Sequence, residues 1–300
     1  MTASVAPIER DTRPQRRPFG PGSRMWEETG LITFSLTAGS AFLLQTMEPS
    51  IAAVVDEHSS FRTDPMGRAM RSVASVMMWI YGGEEAFAET ERLRALHASL
   101  NSTDSNGVRH KALSSGPWAW VLHTGIYAYV EGNRYFTRAP LTQADKEEYY
   151  RESVQLMRNL MVAPKEIPAT YAEWERFFFE KVEGLEPTPV AYDYLRVIRT
   201  IAPPKGLPRP LRPLWRVAAS PVGRLQYFFT VGTTPDVIRR KLGLSWSPAD
   251  ELTLRALGWF IGRGVPLLPE RLRYFPIAFE ARRLERDRER LRKVIDFRPL

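Results

Sequence analysis

The segment that most constrains this chain is Pro117–Val130, which reads PWAWVLHTGIYAYV. No charged residue lies between Lys111 and Glu131, so the segment has no face suited to solvent and is expected to be buried on all sides. Pro117 suits the first turn of a helix, where its missing N–H is not needed. The β-branched and aromatic residues would also suit a strand, but we predict a buried central helix. At about 21 Å such a helix is too short to span a bilayer.

His123 lies in the middle of this segment, and Trp120 shares its helix face at a spacing of three. A buried imidazole needs a hydrogen bond, a metal or a cofactor iron. The residues alone leave both a hydrogen-bonded core histidine and a ligand histidine open, and the former is the commoner case.

The composition excludes several kinds of chemistry. The chain has no cysteine, which excludes disulfides, cysteine-bound zinc, iron–sulfur clusters and thiol catalysis, and it has four histidines. Neither a phosphate-binding glycine loop nor a zinc-protease or serine-hydrolase motif occurs, and there is no pair of Glu-x-x-His motifs for a di-iron centre. A buried histidine, arginines and many aromatic residues together suit an all-α haem pocket.

The net charge of +8 is concentrated near the two ends of the chain. Residues 1–24 and residues 280–293 each have three more basic than acidic residues, which argues against a nucleic-acid groove. The first 22 residues lack the apolar stretch of a signal peptide and are predicted to be a disordered basic tail. Leu31–Met47 contains Ser, Thr and Gly and is expected to be a buried helix and not a transmembrane segment. We therefore expect a cytoplasmic protein.

Long patterns with a period of 3.6 residues predict an all-α fold with a single large helical domain. We assign this domain to residues 23–279, with a charged C-terminal helix and tail at 280–300. The Asn106-Gly107 pair could form a hairpin turn, but no strand-like segments flank it, so no hairpin is predicted. Residues 203–213 contain five prolines and are expected to form an extended connector that crosses the core like a lid.

The order of several short motifs resembles the family that contains bacterial rubber oxygenases and fungal mpaB-type oxygenases. The matching residues are Leu43-Leu44-Gln45, Pro49, Glu57-His58-Ser59, Pro65, Arg68, His97 and Trp120-Val121-Leu122-His123. The C-terminal run from Arg240 to Trp246 and from Leu267 to Tyr274 also resembles members of this family. No single motif is specific, but their ordered combination extends over about residues 23–280, nearly the whole chain.

This resemblance implies an all-α fold that binds haem b, with His123 as the proximal iron ligand and Trp120 in the cofactor wall. Arg68 and Arg71 would anchor propionates or polarise bound dioxygen, and the alternative is that they are ordinary surface arginines. Arg71 stands where latex-clearing relatives have lysine. Because arginine stays protonated and offers no lone pair, the sixth iron position is predicted to be open or occupied by water.

The remaining roles are less closely determined by the resemblance. His97 is the second choice as iron ligand, or a distal acid–base group, but a surface or capping role is the more common one for such a residue. Glu48 and Glu57 are the candidate general bases. Glu48 replaces a histidine that is usual in the family, as a further departure.

The predicted function is a haem-b-dependent oxidoreductase that uses dioxygen or peroxide on a hydrophobic small molecule. The alternatives are a non-catalytic haem-binding protein and a purely structural helical protein. The sequence leaves the oligomeric state open.

Overall fold

A computed structural model describes residues 16–104, 106–203 and 206–296. Over these residues the chain forms one domain of fourteen α-helices and one two-stranded antiparallel hairpin, which confirms the all-α prediction. The α-helices are α1 (Arg24–Glu28), α2 (Phe34–Thr46), α3 (Pro49–His58), α4 (Pro65–Tyr81), α5 (Glu85–Ser99), α6 (Ser115–Phe136), α7 (Gln143–Asn159), α8 (Tyr171–Gly184), α9 (Pro189–Arg199), α10 (Arg212–Gly232), α11 (Asp236–Lys241), α12 (Pro248–Gly264), α13 (Glu270–Arg273) and α14 (Pro276–Asp296).

The uncharged segment forms most of α6, the longest helix, which runs through the core along α2. Two hydrogen bonds join these helices. The Trp120 Nε1–H donates to the Leu44 carbonyl oxygen at 3.2 Å, and the Gln45 Nε2–H donates to Thr124 Oγ1 at 2.9 Å. On the other side of α6, the Phe178 ring stacks on Trp120 and also on Tyr127, the next aromatic residue along that face.

Local sequence signals explain where several helices begin. Thr142 and Asp145 form a capping box at the start of α7, and Ser247 and Asp250 do the same for α12. Proline occupies the first helical position of α3, α4, α9 and α12, where it needs no hydrogen-bond partner for its nitrogen.

Helices α4 and α5 form a helical hairpin connected by Gly82–Glu84. Gly83 has a φ of +57°, a left-handed conformation that costs glycine little. Ser75 Oγ on α4 donates to Glu89 Oε1 on α5 at 2.8 Å. This contact shows which residues of the two antiparallel helices lie side by side. The outer side of α4 packs against α14.

The structure contradicts the sequence analysis at Asn106-Gly107. This pair does close a hairpin, between β1 (Asn101–Thr103) and β2 (Arg109–Lys111), with Gly107 at a φ of +80°. Each strand is only three residues long, too short to give a visible alternation of apolar and polar residues.

Two further differences concern helices. The sequence pattern predicts one helix over residues 214–242 and none at the position of α9. In the structure the former stretch is divided into α10 and α11, since Pro235 lies just before α11.

The termini are only partly described. The disorder predicted for residues 1–15 falls outside the described residues, whereas residue 17 is attached to α7 through two hydrogen bonds between its backbone and the Asn159 side chain. The domain boundary predicted at residues 279 and 280 lies inside α14, where Arg282 pairs with Glu27 and Glu270. Across the described residues, no helix is both long and apolar enough to cross a membrane.

Candidate functional site

A cavity of about 1100 Å³ in the described part of the chain is lined by side chains of α2 to α7, α9 and α10 and is partly open to solvent. Ordinary ligand pockets measure roughly 300–1,000 Å³, so this cavity has room for a large ligand. Its walls are predominantly apolar, and its charged lining residues are concentrated on α4 and α5.

One face of α6 forms part of the cavity wall. The lining residues Trp118, Leu122, Gly125 and Ile126 recur at spacings of three and four, as expected for one side of a helix. At Gly125 the wall is open, because an added Cβ would meet no atom within 4 Å.

His123 is on the opposite side of α6 and is not among the cavity-lining residues. Its Nε2–H donates to the backbone carbonyl oxygen of Glu166 at 3.0 Å, and its ring contacts Phe177 at a centroid distance of 5.0 Å. Burial lowers the pKa of His123 to about 4, so its imidazole is neutral at physiological pH. Nδ1 is buried and has no hydrogen-bond partner within the described residues. Trp120 also faces the α8 side and lies outside the cavity lining.

His97, by contrast, lines the cavity from the last turn of α5. Its Nδ1–H donates to the Leu93 carbonyl oxygen at 2.8 Å, and its ring lies edge-on to Trp118 at a centroid distance of 5.3 Å. Nε2 has no hydrogen-bond partner among the residues that the structure describes. Imidazole ligands of metal sites commonly have this arrangement, in which one nitrogen donates to a carbonyl and the other keeps its lone pair available.

In the α4–α5 hairpin, Arg68 and His97 lie at similar distances along the helix axes from the connecting turn. Arg68 precedes Ser75 by seven residues and His97 follows Glu89 by eight, so both lie about 11 Å along the helices from the Ser75–Glu89 contact. Arg68 also lines the cavity, so the structure brings these two predicted site residues to one region of it.

The Arg68 guanidinium lies over the Phe42 ring, with its central carbon 3.9 Å from the ring centroid. No carboxylate pairs with it within the described residues. Burial lowers the pKa of Arg68 to about 10, which leaves the group protonated at neutral pH. It is thus a positive charge at the cavity wall with no anionic partner.

The other two predicted catalytic residues differ in position. Arg71 lines the cavity but is exposed, and it binds Ser60 Oγ at 2.8 Å and Asp64 Oδ2 at 3.5 Å. Glu57 is exposed near the end of α3, beside His58, and is not part of the cavity lining.

Several polar groups of the cavity wall were missed by the sequence analysis. Tyr194 lies at the wall, packed edge-on against Phe42 near Arg68, and burial raises the pKa of its phenol. Trp79 Nε1, farther along α4, and Thr29 Oγ1, at the end of α1, are buried without partners within the described residues. Trp79 is about 16 Å from the level of Arg68 along the helix. Tyr194 and Trp79 carry no motif, so only the packing of the helices could reveal them.

In the described part of the chain, no cluster of three His, Asp or Glu residues could hold a bare metal ion. A metal that brings most of its own ligands needs only one protein side chain, and the cavity supplies His97.

A model of the family described as ER-bound oxygenase mpaB/B'/rubber oxygenase, catalytic domain, matches residues 26–263. The chain belongs to this oxygenase family. The match confirms the family predicted from the ordered motifs. Comparison with curated proteins and with solved structures gave no match.

The cavity is part of the mpaB/rubber oxygenase domain. Of its lining residues, only Met25 and Phe275 lie outside the matched range. A large, mostly apolar cavity in an oxygenase catalytic domain is the expected place for a small-molecule substrate and oxygen to meet.

Proposed function

We propose that this chain is a haem-b-dependent oxygenase that holds its haem in the large cavity, with His97 as the protein ligand of the iron. The observation that carries the proposal is the state of His97. It lines the cavity of an oxygenase domain, and its Nδ1–H donates to the Leu93 carbonyl oxygen. Its Nε2 has no hydrogen-bond partner among the described residues.

Each of the two histidines has one nitrogen on a backbone carbonyl and one without a described partner, so the choice of His97 over His123 follows from their positions relative to the cavity. The Nε2 atom of His123 is bound to the Glu166 carbonyl, and its ring packs against Phe177 on the side of α6 away from the cavity. Its Nδ1 has no described partner, but to bring this atom to an iron in the cavity α6 would have to turn within the core. His97 needs no such change. His123 is better explained as the hydrogen-bonded core histidine that the sequence left open.

Arg68 fits the role of an anchor for a haem propionate. Arginine forms bidentate hydrogen bonds with carboxylates, and Arg68 is a desolvated cation with no acidic partner in the described residues. Arg71 can form a hydrogen bond with the same haem propionate only if it gives up or shares its contacts with Ser60 and Asp64.

When bound, the haem supplies an iron that activates dioxygen or peroxide. The protein would contribute the His97 imidazole, a protonated Arg68, and a Tyr194 phenol that stays protonated and can donate a hydrogen bond. The apolar walls exclude water and orient a hydrophobic substrate. Trp79 and Thr29 offer unpaired polar atoms at the far part of the cavity, which suits a substrate with one polar group on an otherwise apolar body.

The proposal is tested by reconstituting the purified protein with haem and recording absorption spectra of three proteins: wild type, His97→Ala and His123→Ala. We expect a Soret band for wild type and for His123→Ala. His97→Ala should lose or shift the band, and added imidazole should restore it. Circular dichroism of each variant shows whether the fold is intact.

Absence of a Soret band in the wild-type protein would contradict haem binding. Loss of the band in His123→Ala, with His97→Ala unchanged, would return the ligand role to His123. Oxygen uptake by the haem-loaded protein with a panel of apolar substrates separates an oxygenase from a non-catalytic haem carrier.

A further inference from the structure

The second half of the chain contains a long stretch without acidic residues. Between Asp193 and Asp236 there are seven basic residues and no Asp or Glu. The net charge of the whole chain does not reveal this stretch, because an excess of acidic residues elsewhere offsets its positive charge. Its most exposed part is the N-terminal half of α10.

The N-terminal half of α10 combines apolar and basic side chains on the outside of the protein. Leu214, Val217 and Val222 are 66%, 72% and 59% exposed. Arg212 and Arg216, like Arg209 and Arg224, are also exposed, and none of these four arginines forms an ion pair within the described residues. The surface therefore carries a positive charge that the protein itself does not neutralise, next to apolar side chains that the protein does not cover.

This surface adjoins the opening of the cavity. Val222 is more than half exposed and also lines the cavity, and the same holds for Met66 on α4, while Met70 is half exposed. A residue that faces both solvent and cavity lies at the cavity mouth. Ile201, Ala202 and Pro203 of the proline-rich connector line the cavity as well and lead into α10. The mouth is thus bordered by apolar side chains.

Three partners could cover such a surface. A nucleic acid would neutralise the arginines but would leave the aliphatic side chains without apolar contacts. A second copy of this chain in a symmetric dimer would bring the unpaired arginines of both copies into the same interface. An anionic lipid surface satisfies both features, since apolar side chains of an interfacial helix enter the acyl boundary while arginines contact the headgroups.

We infer that the segment Leu211–Leu225 docks on an anionic phospholipid surface, with the cavity mouth facing the lipid. A hydrophobic substrate dissolved in the membrane would then enter the cavity without crossing water. The docking itself follows from the surface alone, whereas the entry route rests on the proposed function.

The test is co-sedimentation of the full chain with vesicles of phosphatidylcholine alone and with vesicles that also contain phosphatidylglycerol. We expect binding to the anionic vesicles, weak binding to the neutral ones, and release as ionic strength rises. The double variants Leu214→Ser/Val217→Ser and Arg212→Gln/Arg216→Gln should each weaken binding by roughly tenfold or more.

Two control variants match these changes elsewhere on the surface. Arg283→Gln/Arg290→Gln removes the same charge from α14, where both arginines are exposed and paired with acidic neighbours. Trp259→Ser/Phe260→Ser removes exposed aromatic residues of α12 that do not line the cavity. Both control proteins should bind anionic vesicles like the wild type.

The inference is overturned if the wild type does not bind anionic vesicles, if the α10 variants bind as well as wild type, or if the controls lose binding equally. Binding to duplex DNA in preference to vesicles, or a concentration-dependent dimer that the α10 variants abolish, would also overturn it by assigning the surface to another partner. Because vesicle binding needs no haem, its outcome is independent of the spectroscopic test of the proposed function.

Discussion

The imidazole Nε2–H of His123 donates a hydrogen bond of 3.0 Å to the backbone carbonyl oxygen of Glu166. The two residues are 43 positions apart in the chain. This bond fixes the tautomer of the ring and connects α6 to the turn before α8. It gives the buried histidine a structural task that does not require a metal.

The first prediction concerns the pH dependence of this bond. Burial lowers the pKa of His123 from 6.5 to about 4, so the unfolded chain binds a proton at a pH where the folded protein does not. The stability that the neutral ring provides is therefore present above pH 6.5 and is lost as the pH falls toward 4. Relative to His123→Leu, the wild-type free energy of unfolding should fall by about 2–3 kcal/mol between about pH 7 and pH 4.5, measured by urea denaturation.

Tyr127→Phe serves as the control, since it changes the same core without adding or removing a group that titrates in this range. Its stability relative to wild type should not depend on pH. A His123→Leu difference that is equally flat would show that the histidine is not desolvated in the folded protein.

The second prediction concerns Arg68, whose charge is desolvated at the cavity wall. Because burial disfavours the charged form, Arg68→Met should raise the melting temperature of the haem-free protein. The same variant should bind haem more weakly, by roughly tenfold or more, because an anchor for a propionate is lost. Thermal denaturation and haem titration measure the two effects.

Arg71→Met is the matched comparison, since Arg71 is exposed and contacts Ser60 and Asp64. It should not stabilise the haem-free protein. If Arg68→Met left haem affinity unchanged, Arg68 would not be an anchor for the cofactor.

The third prediction uses the open wall at Gly125. A Cβ added there would meet no protein atom within 4 Å and a longer side chain would extend toward the cavity, and replacing a glycine inside a helix favours the fold by up to about 1 kcal/mol. Gly125→Leu should therefore be at least as stable as wild type in urea denaturation, yet show reduced haem or substrate binding. Gly116→Leu on the same helix also has free space but lies outside the cavity lining, and it should bind like wild type. Normal binding by Gly125→Leu would show that the ligand does not use this part of the cavity.

The fourth prediction concerns Glu48, which stands where the family usually has histidine. Its carboxylate accepts a hydrogen bond from the Ile51 N–H at 2.8 Å and caps α3. Glu48→Ala should lower the free energy of unfolding by about 1 kcal/mol, while Glu48→Asp should largely preserve it, and neither should change the haem spectrum. A lost or altered spectrum in both variants would indicate a role for this carboxylate in the site itself.

The sequence predicted the helical class and most helix positions because amphipathic periodicity and capping residues are local signals. Thr142 with Asp145 at the start of α7 is one such case. The orientation of α6 could not be predicted in the same way. With apolar residues all around, no polar face marks which side meets the cavity, so Trp118 and Trp120 looked equivalent although they face opposite sides.

That His97 faces the cavity could not be predicted from the sequence, for a related reason. It lies on a highly charged helix, where a histidine looks like a surface residue, and only the packing of α5 against α4 brings it to the cavity. Tyr194 on the unpredicted α9 was hidden likewise, since the contact that matters is tertiary.

The short turn at Gly82–Glu84 has a consequence for how this domain can change in evolution. Inserting one residue there would rotate α5 by about 100° relative to α4, and His97 would leave the cavity while Arg68 stayed in place. The number of residues between Arg68 and His97 is therefore expected to resist insertion and deletion more strongly than the identity of most residues between them.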